Sequence, residues 1–379
     1  MSEYQYVAFR AIDGPLSDQA LAYMEKQSSR AEITPWAFDN EYHYGDFGGD
    51  SREMLRRGYD IYLHYANFGY RYLSIRLPNG FPDPQAASHY LDEDSISFAK
   101  DKKGAGGILA IEPFFESDDV DQIWDVDDVI DELIPLREEI LSGDLRPLFI
   151  AYLGIQTDGN HDWDEPLRAP VPAGLKKPTD AQLALADYLG LSDALLAAAA
   201  KNSPKIPAAV DTSSQYKAWL DSQSEDKKTA WLLDVMSDAD STVRRDLLTE
   251  FQKEADAPAW PTAESAGQTV SQLMDEAKAI AEKEQAKAEA KAERERQKRL
   301  RKMAEDPDSV LQQTEKLVAE RSTSSYNEAA KLLADLREVL IDTAQADLPA
   351  MHAKKLKEKN PTLKRLTSAL RKQGLLPKK

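Results

Sequence analysis

Apolar and polar residues alternate from Tyr4 to Ile12, with Val7, Phe9 and Ala11 on one face. Strand side chains alternate with period two, so this segment is predicted to be a β-strand. After Ser17, which can accept from the free N–H groups of a first helical turn, Leu21 and Met24 follow at helical spacing. Glu32 to Phe38 predicts a second extended segment. Asp50-Ser51-Arg52-Glu53 reads as a capping box. The helix it opens would carry Leu55, Tyr59 and Tyr62 on one stripe, Met54, Ile61 and Tyr65 nearby, and His64 along its length. Arg71 to Leu77 alternates most cleanly, with Leu73, Ile75 and Leu77 on one side, and Pro78 ends it. Ser95–Lys100 and Gly107–Phe114 are predicted to form a hairpin. Strands interleaved with helices and followed by a hairpin predict an α+β fold. Its expected form is an antiparallel N-terminal sheet with two helices on one face, in a ferredoxin-like arrangement. Val7, Phe9, Leu73, Ile75, Leu77 and Leu109 are its expected core.

The pattern becomes helical beyond Phe115. Val129, Leu133, Leu136 and Ile140 recur at helical spacing, and further helices are predicted at 144–156, 180–189, 192–201, 211–221 and 226–236. Pro166 to Pro178 reads as a linker. From Met274 to Ala304 almost every residue is Ala, Glu, Lys or Arg, which favours helix strongly without a heptad of Leu or Ile. Pairs such as Glu284–Lys287, Glu293–Arg296 and Glu295–Arg299 support it. Pro307 should stop this helix, and Tyr326 to Leu340 returns to an amphipathic pattern in stacked helical hairpins. The resulting division is 1–115, 116–260, 261–306 and 307–379.

Charge sharpens that division. Residues 1–260 carry a net −23, residues 261–379 a net +5, and the last 29 residues +9. An acidic body repels nucleic acid at long range, whereas the basic end could attract it or dock on an acidic protein surface. There is no cysteine, hence no disulfide or thiolate chemistry, and no apolar run of membrane-spanning length. The first residues lack the basic and apolar regions of a signal peptide. A cytoplasmic location is the expectation.

The densest packet of reactive side chains is Asn40-Glu41-Tyr42-His43-Tyr44-Gly45-Asp46, preceded by Trp36. A carboxylate beside an imidazole can move protons or hold a metal. On an extended segment Glu41 and His43 would share a face, and His64 could meet them. Trp36, Asn40, Glu41, His43, Asp46 and His64 therefore form a candidate binding or structural cluster, with no residue assigned as catalytic. Asp46-Phe47-Gly48 copies a kinase triplet, but the other kinase motifs are missing. Asp158, Asn160, Asp162 and Asp164 have the spacing of a calcium loop, yet Trp163 and Ala169 stand where Gly and Glu are needed. Gly104, Gly106 and Gly107 lack the following Gly-Lys-Ser/Thr of a phosphate loop and read as a turn. Lys354, Lys355, Lys357, Lys359, Lys364, Arg365, Arg371 and Lys372 are candidate anion contacts, without interleaved aromatics for base stacking. No metal site and no cofactor is expected.

Three stretches together resemble a family of uncharacterised bacterial proteins. They are Ser29–Thr34 with Asn40–Phe47, Tyr65–Gly69 and Arg76–Pro78; Leu136–Arg146 with Tyr188–Leu191 and Leu195–Ala200; and Tyr326–Arg337 with Gly374–Leu376. Members are often encoded beside proteins with a SWIM-type zinc finger, so the resemblance implies such a protein as a partner. It implies no activity. The Cys-x-Cys and Cys-x-His pairs of a SWIM finger are absent here. The reading is a non-enzymatic interaction or adaptor protein. The alternatives are a nucleic-acid accessory factor acting through its basic end and an enzyme using Glu41, His43 and Asp46.

Overall fold

In the computed structural model, which describes residues 3–92, 94–113, 115, 123, 125–157, 161–206, 212–237, 247, 250–251, 254 and 260–377, the first strand is β1 (Gln5–Arg10). Ser17 caps α1 (Asp18–Met24), accepting from the Ala20 N–H. Glu32 to Phe38 is not one extended segment. The chain turns at Thr34-Pro35-Trp36, where Thr34 Oγ1 accepts from the Ala37 N–H at 2.9 Å, so β2 (Glu32–Ile33) folds back on β3 (Ala37–Tyr42). Asp50 caps α2 (Ser51–Arg57) through the Glu53 N–H at 2.9 Å. That helix ends at Gly58, where a Cβ would fall 2.3 Å from Leu16 Cδ2.

Beyond Gly58 the expected helix is instead a strand, β4 (Ile61–Ala66), and His64 lies on it. Strand β5 (Arg71–Leu77), the short helix α3 (Pro84–Ala87) and the hairpin β6 (Ile96–Lys100) with β7 (Gly107–Ile111) follow. Phe114, expected in that hairpin, lies outside the described residues, as do Asp158, Asn160 and most of residues 116–124.

The seven strands form one antiparallel sheet in the order β2-β3-β1-β4-β5-β7-β6. The α+β class holds. The first six elements, β1-α1-β2-β3-α2-β4 in the sheet order β2-β3-β1-β4, follow the ferredoxin-like arrangement: β3 lies between β1 and the short β2, with Val7 opposite Asn40, and β5, β7 and β6 extend the sheet beyond β4. α1 and α2 lie together on one face, as expected, and α-helices from beyond residue 125 cover the other. Val7, Phe9 and Phe38 pack with Met24, Met54 and Leu55 of α1 and α2. Tyr6, Ala8, Leu73, Ile75, Leu77 and Leu109 face the other way, onto Val126, Ile130, Leu133 and Leu136. The expected single core is therefore two, divided by the sheet.

The second layer consists of α4 (Val126–Leu133), α5 (Pro135–Leu141), α6 (Arg146–Gln156), α7 (Asp180–Tyr188) and α8 (Asp193–Ala199). The segment 166–178 is no free linker. Leu167, Ala169, Val171, Ala173 and Leu175 are buried, and β8 (Val171–Pro172) pairs with β9 (Thr262–Ala263). Between them in sequence lie α9 (Thr212–Ser222) and α10 (Glu225–Ser237), and the long helix α11 (Val270–Glu305) follows. Arg137, on α5, ties this layer to the sheet: it donates to Asp13 and to the Arg76 carbonyl (2.9 Å each) and lies 3.2 Å from Asp60. Burial works against its charge, but the hydrogen bond to Asp13 and the fields of Asp60 and Asp13 hold the guanidinium above its ordinary pKa.

The chain divides into two compact units, Met1–Ala281 and Glu282–Lys379. No core boundary falls at 115, because one apolar cluster runs from the sheet through α4–α8 to Val270, Leu273 and Ala277. The second unit packs the end of α11 with α12 (Pro307–Ala319), α13 (Thr323–Leu340), α14 (Leu348–Lys359) and α15 (Lys364–Lys372). Asp306 caps α12 just after α11 stops. Glu284–Lys287 and Glu293–Arg296 pair along α11, while Arg299 turns to Asp335 on α13. Among the described residues no single helix is long and apolar enough to cross a membrane.

Candidate functional site

The packet at the end of β3 is split between the two faces of the sheet. Phe38, Asn40 and Tyr42 alternate toward α1 and α2, while Asp39 and Glu41 turn toward α4. Glu41 meets His43 just past the strand end, Oε2 to Nε2 at 3.8 Å, and both side chains are more than half exposed. Tyr4 lies beside them, its ring 5.6 Å from His43 and its hydroxyl donating to Glu41 Oε1 at 3.4 Å. Burial first, and then the Glu41 charge, push the Tyr4 hydroxyl up to about 12. Trp36 stays in the β2–β3 turn, half exposed.

Asp46 and His64 belong to the opposite face, joined through Gln5. The Gln5 amide nitrogen donates to Asp46 Oδ1 at 2.9 Å, and its carbonyl lies 2.8 Å from His64 Nε2. A carboxylate accepts only, so this amide orientation makes His64 Nε2 the donor. Burial lowers the His64 pKa to about 4 against the opposing field of Asp46. The imidazole is thus neutral at physiological pH and too weak a base for efficient proton transfer there. Tyr70 and Tyr72 enclose it edge-on, and Asn40, on the same face, buries its Nδ2 without an acceptor among the described residues.

A second buried network lies in the helical layer. Asp144 and Arg146 form an ion pair, Gln182 donates to Asp144 (3.2 Å) and Glu139 (2.7 Å), and Thr179 donates to Glu139 (2.7 Å). Each group in it is turned inward on a partner, which is the arrangement of a structural tie.

Two open concavities meet at Asp131 on α4. The first, about 520 Å³, lies between α4 and the β3 side of the sheet. Glu32, Asp39, Glu41, Asp127 and Asp128 line it with Arg10 and Arg30. Tyr6 and Arg10 both bond Asp39 there, and Arg10 also bonds Asp131 at 2.8 Å. The second, about 620 Å³, lies between α4–α5 and α7–α8. Its floor is Pro135, Ala181, Leu183 and Ala184, its rim carries Asp131, Glu132, Asp180, Asp187 and Asp193, and no cation lines it among the described residues.

In the second unit, α14 and α15 bury Ala353, Leu356, Leu366 and Leu370 and turn their cations outward. Lys355 is 3.9 Å from Glu315, Arg365 donates to Thr323, and Arg371 to the Pro377 carbonyl. Lys354, Lys357, Lys359, Lys364 and Lys372 stand exposed.

Gln5, Asp39 and both concavities were missed by sequence reasoning. The one available signal was the acidic run over 125–132, which places α4 carboxylates beside both hollows. In comparison with known proteins, no family model, no curated protein and no solved structure matches the chain.

Proposed function

We propose that the protein works by binding another protein, as an adaptor, rather than by turnover. The observation that carries this reading is the second concavity: an open trough with an apolar floor and a rim of carboxylates. Such a surface offers desolvation and charge complementarity to a partner, and no convergent nucleophile, base and donor set. Charge segregation supports it. The first unit holds 25 Lys and Arg against 50 Asp and Glu, and the second holds 23 against 16. A SWIM-type zinc-finger protein is the partner that the sequence resemblance nominates, in a cytoplasmic setting consistent with the lack of cysteine.

The outward lysines of α14 and α15 favour one second reading, contact with nucleic acid. Affinity purification from the native host, with bound protein and nucleic acid both identified, separates the two. A stoichiometric protein that survives nuclease treatment supports the adaptor. Recovery of nucleic acid alone, with duplex binding at about 0.15 M salt that is lost on reversing the α14 lysines, supports the second reading. Turnover of a substrate lost selectively in His43→Ala would overturn both.

A further inference from the structure

Helix α7 presents Asp180, Leu183, Ala184 and Asp187 to the trough. These positions recur at three, four and seven residues, so they form one stripe. Two carboxylates stand two turns apart, about 10 Å along the axis, with apolar surface between them. The opposite wall, at the α4–α5 junction, sets Asp131 and Glu132 one turn before Pro135. Leu183 is 39% exposed, although its neighbours Ala181 and Leu185 are buried. The floor between these walls is Pro135, Ala181 and Ala184 with Leu183 standing up from it, so a rod with its own side chains can pack beside Leu183.

We propose that this trough docks a helical segment of a partner protein, apolar along one stripe and flanked by lysines or arginines. The inference rests on the adaptor reading and specifies its partner's chemistry. The occupant must supply the cations, because every charged group on the rim is a carboxylate. It must also supply an apolar ridge, because the floor offers no hydrogen-bonding side chain. The α7 stripe at three, four and seven residues fits a helix laid along it, whose side chains project at three and four residues, better than an extended strand. The neighbouring concavity, reached across Asp131, is more polar and holds Arg10 and Arg30 among its carboxylates. It would take the flanking, charged end of the same segment.

The test uses the intact chain and a fluorescent probe peptide of about 15 residues, roughly four helical turns. Leucines line one face of the probe and lysines flank them. A peptide of the same composition in scrambled order is the control. Anisotropy titrations at about 0.15 M salt should show saturable binding of the amphipathic peptide and roughly tenfold weaker binding of the scramble. Leu183→Ser should weaken the amphipathic peptide by about tenfold. Glu132→Gln with Asp187→Asn should weaken it and flatten its salt dependence. Circular dichroism melts of the variants should match the parent, since the substituted side chains are exposed.

Equal binding of the two peptides, no saturable binding, or binding indifferent to all three substitutions would overturn the proposal. So would displacement of the peptide by micromolar polyamine, which would make the trough a small-cation site. Self-association abolished by Leu183→Ser would make the occupant a second copy instead. If the partner recovered from the host binds the Leu183→Ser protein undiminished, the adaptor reading survives and the trough assignment fails.

Discussion

The Gln5 side-chain carbonyl stands 2.8 Å from His64 Nε2 in the buried layer between the sheet and its first two helices. That bond fixes the imidazole tautomer. Burial fixes its charge, with a pKa near 4 against an ordinary value of about 6.5.

A pH dependence follows from this depressed value. The unfolded chain binds a proton at His64 before the folded one does, so the stabilisation is whole above about pH 6.5 and is lost as pH falls toward 4. The shift is on the order of 3 kcal/mol at its limit. Urea midpoints at about pH 7 and pH 5 measure part of it. The drop between them should shrink in His64→Gln, which keeps a donor toward Gln5. An undiminished drop would show that His64 is not the group responsible.

Arg137→Met should destabilise by about 3–5 kcal/mol, because it leaves Asp60 and Asp13 without their cation. Burial already pushes the Asp60 carboxyl up, opposed chiefly by Arg137. Adding Asp60→Asn should recover part of the loss. Chemical denaturation of the two variants decides it, and equal stabilities would contradict the coupling.

His43 and Ile75 should behave oppositely on truncation. His43→Ala removes an exposed side chain and should change stability by no more than about 0.5 kcal/mol. Ile75→Ala opens a cavity in the sheet's helical-layer face and should cost about 2–5 kcal/mol. A large melting-temperature drop in His43→Ala, or none in Ile75→Ala, would contradict this placement.

Asn40→Val should stabilise by about 1 kcal/mol. It removes a buried donor that has no acceptor among the described residues and puts a β-branched residue on a strand. A clear loss of stability by calorimetry would show that the amide is satisfied after all.

The legible parts of the fold are those with one uniform environment. β5 showed its alternation, and Ser17 and Asp50 announced their helices because a cap is a local device. β4 was hidden for a physical reason. All six of its residues are buried, since it runs between two covered faces, so period two disappears from its apolar pattern. Its tyrosines then mimicked a helical stripe. The packet at 40–46 was visible as composition, but the fate of its members was not: one residue of register sends Asp39 and Glu41 to α4 and Asn40 to the opposite layer. The trough was out of reach, because Pro135 and Asp187 meet through tertiary packing and each looks like ordinary helix surface in sequence.

The apolar cluster that joins the sheet to α4–α8 and the start of α11 bears on birth as well as on stability. A ribosome finishes β7 long before it makes α8, and β9, the partner of β8, comes later still. At about 5–20 residues per second, roughly 4–18 seconds separate Ile111 from Ala199. During that interval Leu63, Leu73, Ile75 and Leu109 have no helical layer to cover them, so the nascent chain carries a sticky, half-dressed sheet. Holdase chaperones should therefore engage this polypeptide while its middle third is being translated, and release it once α8 and the first turns of α11 have emerged.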